Sequence, residues 1–172
     1  MARKFGIVVA AVITLVLTAS VALAATTFNP SAAPSGTHVQ TGTPRCTVVG
    51  LTITCASYEL AGVGNTNATA TLSATYSATV DCTNHGGKLV PVKSSVQPAS
   101  SSTGALEPKN GRLAVPELSG PPAPSTQSFL DAATCPNGNW TKSLASGSVT
   151  LDSWVYTLTF TGFTGAYITI TP

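Results

Sequence analysis

Charged side chains are scarce in this sequence of 172 residues, because Asp, Glu, Lys and Arg together make up only 8% of it. Of the eight basic residues, Arg3 and Lys4 lie at the start of the chain, which leaves six basic against six acidic residues from position 25 onward. A segment without net charge gains nothing from long-range attraction to nucleic acid or to an anionic membrane. We therefore expect no nucleic-acid partner, and we expect solubility to come from the many Thr and Ser hydroxyls.

Side chains that could act as catalysts or metal ligands are also few. A serine hydrolase needs a nucleophile, a histidine base and an orienting acid, but only His38 and His85 are available and the motif G-x-S-x-G is absent from the sequence. A glycosidase needs two facing carboxylates, whereas Glu107 and Glu117 lie in loop-like sequence. No acidic run suits calcium. We predict no catalytic residue, no cofactor and no metal site, and a small hydrolase that uses His85 is the last of the alternatives.

Apolar runs long enough to cross a bilayer are absent after residue 25. At the N terminus, Arg3 and Lys4 precede an apolar run from Phe5 to Leu17, and Ala22-Leu23-Ala24 supplies the small residues of a cleavage site. This pattern predicts a signal peptide over residues 1–24 that is cleaved after Ala24, with an uncleaved anchor as the alternative. After cleavage the protein is expected to be secreted, with no stable membrane anchor.

Four cysteines in an exported chain are typical of two disulfide bonds. A two-residue turn with glycine first, at the centre of the stretch 46–55, would place Cys46 opposite Cys55. Counted from that turn, the two cysteines form a non-hydrogen-bonded pair, in which the Cα atoms come within disulfide range. Cys82 and Cys135 are then left to form a second, longer bridge.

The most regular stretch is 68–82, where apolar or small side chains alternate without a break with Thr, Ser or Asp. A period of two residues predicts a β-strand with one buried face and one solvent-facing face. The stretch is longer than most strands, so we expect it to bend, to carry a bulge or to break. A second alternating stretch, 153–161, places Trp154, Tyr156 and Phe160 on one face, and these rings are predicted to fill the core.

The strand-like stretches and short turns together predict an all-β fold. We expect an antiparallel, immunoglobulin-like sandwich of about seven or eight strands over residues 44–172, with a closed barrel as the main alternative. A short helical turn is expected within 127–134, and Pro91 should confine its strand to a sheet edge or a bulge. Residues 25–43 contain two prolines, two glycines and little apolar content, so they are predicted to form a flexible N-terminal segment.

Three short motifs carry a resemblance to a known group of proteins. They are GxGN in Gly62-Val63-Gly64-Asn65, CTNxGG in Cys82-Thr83-Asn84-His85-Gly86-Gly87, and CPNxxW in Cys135-Pro136-Asn137-Gly138-Asn139-Trp140. Over residues 46–172 the chain resembles small secreted β-sandwich proteins of high-GC Gram-positive (actinobacterial) bacteria. The resemblance implies export, paired cysteines and a β-domain, and it implies no activity. His85 stands where that group usually has proline, which argues against a catalytic role for this histidine.

Aromatic and hydroxyl side chains supply the candidate ligand contacts. We single out Trp140, which follows Cys135 closely, and His85 in its glycine-rich loop. The Thr and Ser residues of 68–82 are a second candidate surface, for an ordered lattice such as ice or a polymer, although Thr is common on any solvent-facing strand. We predict a secreted, non-enzymatic protein that binds an extracellular protein or a polysaccharide or has a structural role. The first alternative is a carbohydrate-binding module with an exposed aromatic strip.

Overall fold

The computed structural model of the protein describes residues 24–172, which form an all-β sandwich of antiparallel strands. The predicted all-β antiparallel sandwich is confirmed, although residues 44–172 form 11 short and long strands where about seven or eight were expected. The three sheets are open in this part of the chain, so the barrel alternative does not apply. Apart from Ala24, the predicted signal peptide lies outside the described residues.

The strands are β1 (Ala25–Phe28), β2 (His38–Gly42), β3 (Cys46–Val49), β4 (Thr52–Cys55), β5 (Tyr58–Ala61), β6 (Ala68–Thr83), β7 (Leu89–Val96), β8 (Ser101–Ser102), β9 (Arg112–Val115), β10 (Leu118–Ser119), β11 (Thr141–Leu144), β12 (Thr150–Phe160) and β13 (Ile168–Thr171). The described residues also form a 3-10 turn at Pro30–Ala32 and one helix, α1 (Thr126–Ala132), which lies where the helical turn was predicted.

Strand β6 is the central strand of a seven-stranded sheet, because both of its edges are occupied. Strands β12 and β11 pair with one edge, and β7 and β8 pair with the other. Beyond β12 the sheet continues through β13 to β1. The predicted strand at 68–82 is confirmed as a single element of 16 residues, and the irregularity lies instead in its partner β12, between Leu151 and Ser153. Within the part of the chain that the structure describes, strand β7 pairs only with β6, so Pro91 occupies an edge strand as predicted.

Burial along β6 follows the predicted alternation. The even-numbered side chains from Ala68 to Cys82 are only 0–2% exposed, whereas the odd-numbered ones are half-buried, with the single exception of Ser77. On β12 the rings of Trp154 and Tyr156 are buried on the same side of the sheet, as predicted. The inner face of this sheet is therefore the apolar floor of the core.

Three separate pieces cover that inner face. They are the sheet of β2, β5 and β9, the sheet of β3, β4 and β10, and helix α1. In the first piece, Tyr58 places its hydroxyl 2.8 Å from that of Tyr156 on β12. In the second, the carbonyl of Leu51 accepts a hydrogen bond from Tyr76 of β6. In the third, Phe129 of α1 is fully buried in the same core.

Both predicted disulfide bonds are confirmed. Cys46–Cys55 closes the hairpin of β3 and β4, and Cys82–Cys135 ties the end of β6 to the segment that follows α1. Residues 24–172 contain no free cysteine. Two such bridges are typical of a protein that folds in an oxidising, extracellular-type environment.

The prediction that residues 25–43 form a flexible segment is wrong. Strand β1 pairs with β13, strand β2 pairs with β5, and Ala32 and Ala33 between them are buried. Composition is misleading here because a short strand needs little apolar surface of its own. It is held by backbone hydrogen bonds to the edge of a sheet that other residues have already stabilised.

Gly62 shows how closely this segment packs on the rest of the fold. Its φ is +75°, and a Cβ at this position would collide with the carbonyl of Gly36. Gly64 has a φ of +58° and open space around its Cβ position. We expect Gly62→Ala to lower the free energy of unfolding by about 3 kcal/mol through backbone strain plus overlap, and Gly64→Ala by about 1 kcal/mol through strain alone. Urea unfolding measures both values, and equal losses would show that residues 36 and 37 do not pack on Gly62.

Candidate functional site

The outer face of the seven-stranded sheet is covered by no strand or helix within residues 24–172, and we call it the open face. Half of this face, on the side where β6 begins, consists almost entirely of hydroxyl side chains, and we call it the hydroxyl half. Its members are Ala25, Thr27, Thr69, Thr71, Ser73, Thr75, Ser102, Ser153, Val155, Thr157, Thr159, Thr169 and Thr171. Only the alanine and the valine among them lack a hydroxyl group.

Strand register aligns five of these hydroxyl residues in one row. The row runs from Thr27 through Thr169, Thr157 and Thr71 to Ser102, and each member is the direct partner of the next across neighbouring strands. Because strands lie ~4.8 Å apart, the row is roughly 19 Å long. Further hydroxyls follow ~6.7 Å away along the strands on either side. The surface is therefore a two-dimensional array of short polar groups, where the sequence alone showed one line of them.

Charge on the open face is confined to its other half. There Lys93 forms an ion pair of 3.1 Å with Asp152, and the Ser77 hydroxyl donates a 2.7 Å hydrogen bond to the same carboxylate. The bond from Ser77 and the Lys93 ammonium hold the pKa of Asp152 below its usual value. Ser77 is buried, and it donates to a carboxylate whose lowered pKa makes it a weak base, so this group braces the bulge of β12 and does not present a nucleophile.

Four aromatic rings form a chain at the end of the sandwich where β6 begins, and we call it the ring cluster. Ring centroids are 5.8 Å apart for Phe28 and Tyr167, 5.7 Å for Tyr167 and Phe160, and 6.4 Å for Phe160 and Phe163. Tyr167 and Phe160 are buried, whereas Phe28 is 46% and Phe163 38% exposed. Two exposed phenyl rings are thus supported from behind by two buried ones. Sequence reasoning missed both, because Phe28 lay in the supposed flexible segment and Phe163 in a loop without periodicity.

The two predicted contact residues lie at the opposite end of the sheet. Thr141 pairs with Thr83, so Trp140 precedes β11 beside the loop that carries His85. Trp140 is half-buried and His85 is exposed, and within residues 24–172 the His85 ring makes no side-chain hydrogen bond. The structure therefore brings these two residues to one end of β6 and brings no serine or acid onto His85. Their role in ligand binding stays a prediction.

The buried titratable side chains are tyrosines that remain protonated. Burial raises the pKa of Tyr156 to about 12 and raises the pKa of Tyr58 still further. Their paired hydroxyls join the two layers and supply no acid or base at neutral pH. Glu107 and Glu117, which lie in loop-like sequence, are both exposed. Residues 24–172 contain no group of three or more His, Cys, Asp or Glu side chains arranged to hold a metal ion.

A shallow groove of about 640 Å³ lies on the other layer of the sandwich, where Tyr58, Glu59 and Pro116 contribute to its lining. The Glu59 carboxylate accepts a hydrogen bond of 2.9 Å from the guanidinium of Arg112, so its charge is already neutralised. The lining of this groove has no repeating pattern of polar groups like the rows of hydroxyl side chains on the open face.

Residues 24–172 contain no helix long and apolar enough to span a membrane. Comparison with known proteins gives no match, whether to a family model, to a curated protein or to a solved structure.

Proposed function

We propose that the protein is a secreted, non-enzymatic binding protein and that the hydroxyl half of its open face is the contact surface. The observation that carries this proposal is the row of five hydroxyl residues in register across five strands. Export is supported by the signal-peptide pattern of residues 1–24 and by the two disulfide bonds.

The chemistry of the surface favours an extended partner. Each hydroxyl both donates and accepts hydrogen bonds, and Thr side chains are stiff about χ1 and lose little freedom on binding. Small ligands need a concave site that buries most of their surface. An open sheet face with a repeating pattern instead suits a partner that also repeats, such as a polymer or the surface of an ordered assembly.

A non-enzymatic role agrees with the groups that this half of the face presents. Catalytic sites bring nucleophiles, acids and bases together in a pocket that excludes water. The hydroxyl half contains no Asp, Glu, His, Cys, Lys or Arg side chain. Within residues 24–172 none of its hydroxyl groups donates a hydrogen bond to a carboxylate or an imidazole, so they are suited to binding and not to nucleophilic attack.

The proposal is tested by placing charge in the row. Thr71→Glu/Thr169→Glu puts two carboxylates on the open face, on strands that are not adjacent. In the protein of residues 25–172, we expect this variant to lose at least tenfold in retention on whichever immobilised polymer the wild type binds. The panel contains neutral polysaccharides, acidic polysaccharides and fibrous extracellular proteins.

The matched control is Thr47→Glu/Thr52→Glu, which alters two exposed threonines on the outer side of the smaller layer. It should retain the binding of the wild type, and circular dichroism should show that both variants are folded. An equal loss in the two variants, full binding by Thr71→Glu/Thr169→Glu, or no retention of the wild type on any polymer would contradict the proposal.

A further inference from the structure

We infer that β1 pairs with β1 of a second copy of the protein, so that two hydroxyl halves join into one contact surface. This inference rests on the proposed function for what the joined surface does. Three observations lead to it, namely the unprotected edge of β1, the direction of its free backbone groups, and the position of Thr27 at the end of the hydroxyl row.

Strand β1 is an edge of the seven-stranded sheet without the usual protection against further pairing. Within residues 24–172 it pairs only with β13, and it contains no charged side chain, no proline and no bulge. Edge strands normally carry such features, because their free N–H and C=O groups attract another strand. Other edges of the described chain have them, namely Pro91 and Lys93 on β7, the bulge of β2, Arg112 on β9, the inward-facing Lys142 on β11, and the two-residue lengths of β8 and β10.

The free backbone groups of β1 belong to Thr26 and Phe28. Just after β1, the N–H of Asn29 donates a hydrogen bond of 2.8 Å to the carbonyl of Tyr167, which continues the register between β1 and β13. Because backbone groups alternate in direction along an antiparallel strand, those of Thr27 also face β13, whereas those of Thr26 and Phe28 face away from the sheet. These two residues therefore offer two N–H donors and two C=O acceptors to a further strand.

One register lets a second copy use all of these groups. If two β1 strands run antiparallel with Thr26 of each copy opposite Phe28 of the other, both pairs exchange two hydrogen bonds. A shift in one direction would place Thr26 opposite Pro30, which has no N–H, and a shift in the other would place Phe28 beyond the start of the cleaved chain. The favoured register therefore puts Thr27 directly opposite Thr27 of the second copy, on a two-fold axis.

This register makes the hydroxyl row continuous across both copies. Thr27 lies at the end of the row of five in one copy, and Thr27 of the second copy begins the equivalent row. With five residues from each copy, the joined row is roughly 43 Å long at ~4.8 Å per strand. A repeating partner would meet both copies at once, which strengthens retention without any new kind of contact.

The second copy also covers apolar surface on the other side of the sheet. Phe28 is 46% exposed, and its register with the buried Ile168 places it on the inner-face side, away from the hydroxyl row. In the paired strands it lies opposite Thr26 of the second copy and loses exposed surface. Six basic and six acidic side chains in residues 25–172 leave no net charge to drive two copies apart.

Sedimentation of the protein of residues 25–172 tests the pairing. Small interfaces bind weakly, so the concentrations extend to about 0.5 mM, and we expect the mass to double as concentration rises. Thr26→Pro removes two of the four bonds and places a ring on the outer edge, while the bonds to β13 stay intact. It should raise the dissociation constant at least tenfold. Thr26→Val loses only the hydroxyl bond to the Pro44 carbonyl and should still form dimers.

The matched control is Val48→Pro on β3, the other edge strand of residues 24–172 without charge, proline or bulge. The N–H of Val48 faces outward too, because the bond from Ala56 to the Arg45 carbonyl fixes the alternation along this hairpin. This variant should form dimers as the wild type does, and circular dichroism should show that all variants are folded.

The register is tested by Thr27→Cys. Residues directly opposite in a non-hydrogen-bonded pair have Cα atoms ~4.5 Å apart, which is within disulfide range. Mild oxidation should therefore join two copies of Thr27→Cys through residue 27, as peptide mapping would show. Thr169→Cys lies in the same row, but its equivalent in the second copy is ~14 Å away, so it should form no such bridge.

The outcomes separate this inference from the proposed function. An unchanged mass at every concentration, dimers that persist in Thr26→Pro or disappear in Val48→Pro, or no bridge in Thr27→Cys overturns the inference and leaves a single hydroxyl half as the contact surface. Thr26→Pro should also lose about tenfold in retention on the polymer that the wild type binds. Equal retention overturns the inference, because the second copy then adds nothing. Dimers joined through residue 27 without retention on any polymer would end the proposed function and leave the pairing of β1 in place.

Discussion

Tyr76→Ala is expected to lower the free energy of unfolding by about 4 kcal/mol, the typical cost of emptying a large buried site. Tyr76 lies near the middle of β6 and is fully buried. The single hydrogen of its hydroxyl is shared between the carbonyls of Leu51 at 3.2 Å and of Pro121 at 3.0 Å. The substitution therefore removes the packing under the middle of the sandwich and two polar contacts to the covering layer. Urea unfolding followed by circular dichroism measures the loss.

Tyr76→Phe separates these two contributions. It keeps the ring but leaves the two carbonyls without their donor, which should cost about 1.5 kcal/mol. The difference between the two variants then reports packing alone. If Tyr76→Phe were as damaging as Tyr76→Ala, the hydroxyl would be the main contribution, and the argument that this ring fills the core would fail.

Loss of the long disulfide bond is the second large effect that we expect. The cysteines of Cys82–Cys135 are 53 residues apart and those of Cys46–Cys55 only 9. Chain entropy of the unfolded state predicts a loss of about 4 kcal/mol for Cys82→Ala/Cys135→Ala and about 2.7 kcal/mol for Cys46→Ala/Cys55→Ala. Small domains have only about 5–15 kcal/mol in total, so the first variant should lose between roughly a quarter and four fifths of its free energy of unfolding.

The two disulfide variants are compared by urea unfolding without reductant, each against the wild type. The order of the losses is the critical result. If the hairpin variant lost as much as the other or more, the main effect of the bridges would lie in the native state, where Cys46–Cys55 joins β3 to β4, and not in the freedom of the unfolded chain.

Much of the fold follows from local patterns. The alternation in 68–82 predicts β6 and its buried face, and the position of the turn predicts Cys46–Cys55. The same local reasoning fails for residues 25–43, since a segment of low apolar content is held by strands that lie far away in sequence. Composition reports the apolar content of a segment itself, but it does not report which distant strands offer backbone hydrogen bonds to that segment.

The candidate site was accessible to prediction only in part. Thr71 belongs to the hydroxyl line that the sequence shows on β6, so a polar surface was a natural hypothesis. Thr27 and Thr169, which belong to the same row, are more than 140 residues apart in the chain, yet the Thr27 hydroxyl lies 3.3 Å from the Thr169 carbonyl. The aromatic prediction chose Trp140, whereas the most exposed rings within residues 24–172 are Phe28 and Phe163. Nothing local distinguishes a ring at the end of a sandwich from one inside it.

Sequence by itself determined which side chains of β6 face inward, because the direction of a side chain along a strand depends only on its parity. It also determined that the chain contains two sulfur bridges and few groups able to perform chemistry. Only the tertiary structure decided which strands lie side by side, since pairing joins residues that the chain keeps far apart. The hydroxyl array exists for that reason, as each row is built from the register of several strands at once.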